Sequence, residues 1–274
     1  MKTIPLLFLL FVTPTVFSQI GGNSTGARSF GLAGNTTQLK DLWSIENNPA
    51  ALSFIKVWQV GISYENYFSL KELSTRSILI SSPIFDGAFG LSYKQFGYSA
   101  YNENKLGFTY GQLLGENFTM GIQLNYLNTR IEEGFGNRNT ISGNIGLSTK
   151  LTNELSIAFT IINLNRAKLA SYNDERYPTL LNIGISYEFS KKVLFLTEVS
   201  KDIDYKANLK TGIEYQIGEL FSMRLGYATK PSMNSFGFGC MLENIQIDLA
   251  SSFDHQLGLT TQVSLSYIPP IRER

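Results

Sequence analysis

The chain has 274 residues, a formal net charge of +1, one cysteine and one histidine. A near-neutral balance gives no reason to expect a nucleic-acid partner. Cys240 and His255 stand alone, which excludes an internal disulfide framework and argues against thiol, zinc or histidine-dependent catalysis.

In chain order, residues 1–18 read as a secretory signal peptide. Lys2 supplies the positive start, residues 6–12 a short apolar core, and Val16-Phe17-Ser18 a cleavage pattern before Gln19. The apolar run is too short to span a membrane as a helix. No cysteine lies near the cut, so a lipid anchor is not expected. Residues 19–56 lack any strand periodicity. They carry GARSFGLAGN at 26–35, a stretch at 37–43 expected to form one or two helical turns, and ENNPAAL at 46–52. Pro49 disfavours the helical conformation at Asn48, and Asn47 and Asn48 are expected to bond local backbone. Leu42, Trp43, Ile45, Leu52 and Phe54 offer an apolar underside. From its residues alone the segment can be a plain periplasmic linker; a second reading comes from a resemblance given below.

From residue 57 the pattern changes to a period of two. In FTMGIQLNY at 118–126, Phe118, Met120, Ile122, Leu124 and Tyr126 share one face, and Thr119, Gly121, Gln123 and Asn125 the other. Fourteen such segments are expected, at 57–66, 75–82, 86–96, 104–113, 117–130, 140–151, 154–163, 180–190, 192–200, 207–217, 220–229, 235–243, 245–254 and 260–268. The apolar faces carry almost no charge. The opposite faces hold Glu65, Lys94, Glu188, Glu198, Lys210, Glu214, Arg224, Glu243 and Asp248, charges of both signs that suit a polar lumen whose ions pair with each other. Apolar faces this broad suit lipid, where a mid-depth charge costs about 2–4 kcal/mol. Cys240 falls among the lipid-facing Phe236, Phe238 and Leu242 and reads as a small hydrophobe.

Connections alternate between short turns, such as 115–116 and 218–219, and longer polar loops at 67–74, 97–103, 131–139, 164–179, 201–206, 230–234 and 255–259. That asymmetry, an even strand count and the need to leave no open edge in lipid define an all-β fold: a transmembrane outer-membrane β-barrel of about 14 antiparallel strands. Both barrel ends fall on the periplasmic side, and residues 269–274 form a periplasmic tail. Trp58, Tyr64, Tyr110, Tyr126, Tyr187, Tyr227 and Tyr267 are candidates for interfacial girdles. No P-loop, G-x-S-x-G elbow or H-E-x-x-H stretch is present. His255 beside Asp254, Glu132 with Glu133, and Asp174 with Glu175 lie in polar loops as solvated charge. No cofactor, metal or enzymatic activity is expected. Phe135, Tyr172 and Tyr177, aromatics among charges in the two longest loops, are candidates for contact with a protein partner.

A resemblance enters through two motifs. Gly26-Ala27-Arg28-Ser29-Phe30-Gly31-Leu32-Ala33-Gly34 and Asn48-Pro49-Ala50-Ala51-Leu52, followed by fourteen strands, resemble the FadL-like barrels, in style the PorV/PorQ group of Bacteroidetes. Its plug-motif positions here are Gly26, Ala27, Arg28, Gly31, Gly34, Asn48, Pro49, Ala50 and Leu52. The resemblance implies an N-terminal lumenal plug at residues 19–56 and a non-enzymatic accessory of the type IX protein secretion system. Such a protein would bind translocon components or secreted cargo as well as outer-membrane lipid. The chain is short, with little expected room for a ligand vestibule, which favours secretion over the second reading, a FadL-like transporter or channel for small hydrophobic molecules. A purely structural membrane protein is the third.

Overall fold

The computed structural model describes residues 24–132, 136–169, 175–254 and 258–270. The expected signal peptide, Phe135, Tyr172, Glu133, Asp174, His255 and the last four residues lie outside the described residues. The strands are β1 (Gln59–Asn66), β2 (Ser74–Ile84), β3 (Gly87–Gly97), β4 (Tyr101–Leu114), β5 (Phe118–Ile131), β6 (Gly136–Lys150), β7 (Leu155–Ile162), β8 (Leu180–Ser190), β9 (Val193–Asp202), β10 (Asn208–Ile217), β11 (Phe221–Thr229), β12 (Ser232–Leu242), β13 (Ile245–Asp254) and β14 (Gly258–Tyr267). Each pairs antiparallel with its sequence neighbours, and β1 pairs with β14 to close the barrel.

The burial pattern is the inverse of a water-soluble fold. In β5 the apolar residues Met120, Ile122, Leu124 and Tyr126 are exposed, while Thr119, Gln123 and Asn125 are buried. Apolar side chains on the outer face need a lipid solvent, and polar ones on the inner face need partners within the lumen. Those partners come from residues 24–58. Short helix α1 (Ala27–Gly31), helix α2 (Ser44–Asn47) and a 3₁₀ turn (Pro49–Phe54) lie inside the wall. Leu42, Trp43, Ile45, Leu52 and Ile55 pack as one apolar cluster against Leu79 and Ala88 of the wall.

Several details depart from the expectations. The 37–43 stretch forms turns, and the helix follows it at 44–47, where Asn48 (φ −151°, ψ 103°) ends it. Pro49 then opens the 3₁₀ turn at the position where its missing N–H is harmless, with the Asn48 side chain accepting from Ala50 N at 3.0 Å. Most of the expected extracellular loops are shorter, because β4, β5, β6, β12 and β14 extend into them. Residues 136–139, expected in a loop, are strand, because side-chain amides such as Asn128, Asn137 and Asn139 bond across the ladder where lipid has ended. The described parts of the 163–179 loop fold back. Tyr177, Ala167 and Leu169 pack with Tyr67, Phe96 and Leu127 over the upper lumen, and the Tyr177 hydroxyl meets Thr129 Oγ1 at 2.5 Å. Above Ile145, β6 has no β7 partner; Asn165 replaces it, donating to Ile141 O and accepting from Gly143 N.

Candidate functional site

The two asparagines of NNPAAL act over longer range than their local chemistry suggests. Asn47 and Thr25 exchange two hydrogen bonds, each 2.9 Å, between side-chain amide and backbone. The Asn48 amide donates to Thr37 O. The segment is thus cross-tied to itself before it meets the wall.

The wall is cut back to receive it. Gly111, Gly121 and Gly146 stand in register on β4, β5 and β6 and face inward. A Cβ on Gly121 would lie 2.2 Å from the Pro49 carbonyl carbon, and one on Gly146 would lie 2.1 Å from Asn48 Oδ1. Gly237 stands against Gly31 in the same way, its Cα 2.8 Å from where a Gly31 Cβ would be. Gly26 takes φ +94° with Trp43 packed against it, so it meets both a conformational and a steric demand. Gly34 takes φ +72°.

Polar contacts fix the segment at several points. Glu198, 1% exposed, accepts on one carboxylate oxygen from Thr36 N at 2.9 Å and Thr37 N at 3.0 Å. Its other oxygen pairs with Lys210 at 3.0 Å, and Lys210 also donates to Gly34 O at 2.9 Å. Arg28 binds Glu214 through two nitrogens, at 2.9 and 2.6 Å, and reaches Asp41 at 3.2 Å. Glu214 also accepts from Arg224 at 2.5 Å, and Arg224 pairs with Asp248 at 2.6 Å, so the motif arginine joins a wall-borne charge chain. Glu46 pairs with Lys105 at 2.9 Å and accepts from Ser92 at 2.5 Å. Lys94 donates to Thr25 Oγ1 at 3.2 Å.

The inward charges named from the sequence divide accordingly. Glu65, Lys94, Glu198, Lys210, Glu214, Arg224 and Asp248 face the lumen. Glu65 lines the mouth cavity described below. Glu188 is exposed at the periplasmic rim. Glu243 is a correction: it sits exposed in the tight turn between β12 and β13 with φ +51°, where the ladder has ended and alternation no longer sets its side. Ala27, Ala50 and Leu52 of the motifs are buried, Leu52 in the apolar cluster and Ala27 against Ala250. Glu46, Asp41 and Lys105 were missed. Lys105 has inward parity on β4 and was legible; Glu46 and Asp41 lie in a non-periodic segment that carries no facing signal. Of the partner-contact candidates, the described Tyr177 is buried, its ring packed with Tyr67, Phe96 and Leu127 in an apolar cluster.

Among the described residues, two cavities lie within the lumen, one above and one below α1. The upper, about 370 Å³, lies at the mouth between α1 and strands β8–β14 and is lined by Phe30, Ala33, Phe68, Ala228 and Met233, with Lys210 among its polar groups. The lower, about 250 Å³, is lined by Arg28, Asp41, Trp43, Glu214 and Arg224. The upper cavity is a second departure from expectation. The segment crosses the lumen through glycine-lined recesses instead of filling it, which leaves a vestibule in a short chain. Arg28, on the lower side, and Phe30, on the upper, form the partition between the two.

No protein-family model and no curated protein matches the chain in sequence. Solved structures do match in fold. The CymD monoaromatic hydrocarbon channel has a TM-score of 0.71 at 13% identity, covering 94% of this chain and 100% of its own. A Pseudomonas aeruginosa FadL homologue has a TM-score of 0.66 at 14% identity over 90% of this chain and 99% of its own. The P. putida toluene transporter TodX has a TM-score of 0.67 at 11% identity over 93% of this chain and 100% of its own. Closed wall, lipid-suited outer face and fold likeness together make this protein an outer-membrane β-barrel with the fold of the FadL-type channels.

Proposed function

We propose that the protein is a passage for small hydrophobic molecules across the outer membrane. The observation that carries this is the pair of cavities stacked along the lumen and separated by five-residue helix α1 and its arginine. The upper cavity has the size and mixed apolar and polar lining of a small-molecule site. Solved barrels of this fold are described as hydrocarbon channels and toluene transporters, which supports the same reading. The residues' roles follow from position. Phe30, Phe68 and Met233 would offer apolar contact, while Arg28 with Glu214 would hold the partition closed until the segment shifts.

The secretion-accessory reading, with translocon components or cargo as partners, rests on the GAR and NPAAL resemblance alone and takes second place. The test is equilibrium binding of a radiolabelled aromatic hydrocarbon to the purified protein. Saturable binding is expected in the wild type. Ala228→Trp, which fills the vestibule from the wall, should abolish it while the heat-modifiable gel shift of the barrel persists. Absence of saturable binding, with recovery of the native protein in a secretion translocon, overturns the proposal.

A further inference from the structure

The strand register marks where lipid ends on one side of the barrel. Reading outward-facing residues across β1 to β6, one row is Ile62, Ile78, Tyr93, Leu106, Tyr126 and Ile141, all apolar. Two residues higher, the paired row is Tyr64, Arg76, Gln95, Asn104, Asn128 and Asn139. The change is complete in one step along all but the first strand. It is also local, because on the opposite wall Leu209, Tyr227, Phe253 and Leu259 carry the apolar outer face to the hairpin ends.

Above the boundary the polar wall contains a concavity of about 480 Å³ on the outside of the barrel, lined by Lys71, Arg76, Gln95, Tyr98 and Asn102, with Glu72 as its acid. Among the described residues, the side chains of Lys71 and Arg76 have no hydrogen-bond or ion-pair partner. Arg130, exposed, is registered directly opposite Asn102 and adds a third cation. The amides beside them are held in place: Asn104 bonds Tyr93, Asn102 and Asn128, and Asn128 bonds Asn137 and Asn139. A fixed amide row beside unpaired cations has no use toward acyl chains, since such groups want charged and hydroxyl-bearing partners.

We propose that this concavity holds the phosphorylated sugar headgroup of an outer-leaflet glycolipid. Its acyl chains would lie on the Ile78 and Tyr93 belt below, its phosphate on Arg76 and Lys71, and its hydroxyls on Gln95 and Asn102. Continuity with the apolar belt selects a lipid over a free anion or a protein, because an occupant bonded here must also cover the hydrophobic row beneath it.

Native mass spectrometry of the full chain in a neutral detergent tests this, with lipid A, enzymatically dephosphorylated lipid A and phosphatidylcholine as probes. Lipid A should bind the wild type most tightly. Lys71→Gln with Arg76→Gln should weaken it roughly thirtyfold, from about fivefold per cation near an anionic headgroup. The comparison of phosphorylated with dephosphorylated lipid on the wild type stands even if the double variant fails the gel-shift check of folding. Equal binding of the two lipids, an unchanged affinity in a folded double variant, displacement by millimolar inorganic phosphate, or occupation of the patch by a co-purifying protein overturns the proposal.

Discussion

Replacing Glu198 by alanine should undock the 34–37 loop of the lumenal segment while leaving the barrel intact. The carboxylate takes two backbone N–H groups, from Thr36 and Thr37, on one oxygen and the Lys210 ammonium on the other. Alanine leaves those amides without an acceptor and Lys210 without its counter-charge. Stranding buried donors costs about 1–3 kcal/mol each, and breaking a buried pair about 3–5 kcal/mol. Lys210 is partly open to the upper cavity, 17% by side chain, so water relieves some of this. A net loss of about 3–4 kcal/mol remains, which shifts the docked-to-undocked ratio several hundredfold. Single-channel recording in planar bilayers reads that shift as frequent openings, since Gly34 and its neighbours border the vestibule. Glu188→Ala at the exposed rim is the matched control and should stay closed. If Glu198→Ala gives the same trace as wild type and its segment resists protease equally, the carboxylate does not hold the segment and the reasoning fails.

Gly121→Val tests the glycine recess from the wall side. Its Cβ would meet the Pro49 carbonyl carbon at 2.2 Å, against backbone that cannot swing away, so Asn48–Ala50 must lift out. Limited proteolysis should then cut within residues 44–54 while the gel shift is kept; continued protection would show that the wall yields instead. The membrane boundary is tested by a pair of arginines on β5. Leu124→Arg, inside the apolar belt, should lower unfolding stability in urea by about 2–4 kcal/mol. Asn128→Arg, four residues higher on the same face, should change it by less than about 1 kcal/mol. Equal losses at both sites would remove the boundary drawn from the register.

Barrel, strand number and facing were legible in the sequence because alternation is a property of each strand taken singly. Phe118 to Tyr126 declares its two faces without reference to any neighbour, and fourteen such segments close in order. Strand tops were less legible. Residues 136–139 and 101–103 are polar on both faces, so composition reads them as loops, whereas amide ladders continue the sheet above the lipid. The site was legible only in halves. Glu198 and Glu214 show inward parity, and Arg28 sits in a motif, but nothing along the chain says that Arg28 meets Glu214, 186 positions away. The upper cavity was not legible at all. It is what remains after the segment settles into recesses made by glycines on nine strands, and those recesses exist only once the wall has closed. For residues 43–52 the structure keeps the local bond of Asn48 to Ala50 N and adds longer-range ones. Ile45 and Leu52 fill the apolar cluster, Glu46 pairs with Lys105, and the asparagines tie the segment to Thr25 and Thr37.

The most direct test of the passage reading is a crystal of the protein soaked with a brominated aromatic hydrocarbon and measured at the bromine absorption edge. The account predicts an anomalous peak in the upper cavity, between Phe30 and Met233, and none in crystals of Ala228→Trp. Bromine confined to the outer wall, with the cavity empty at saturating soak, would contradict it.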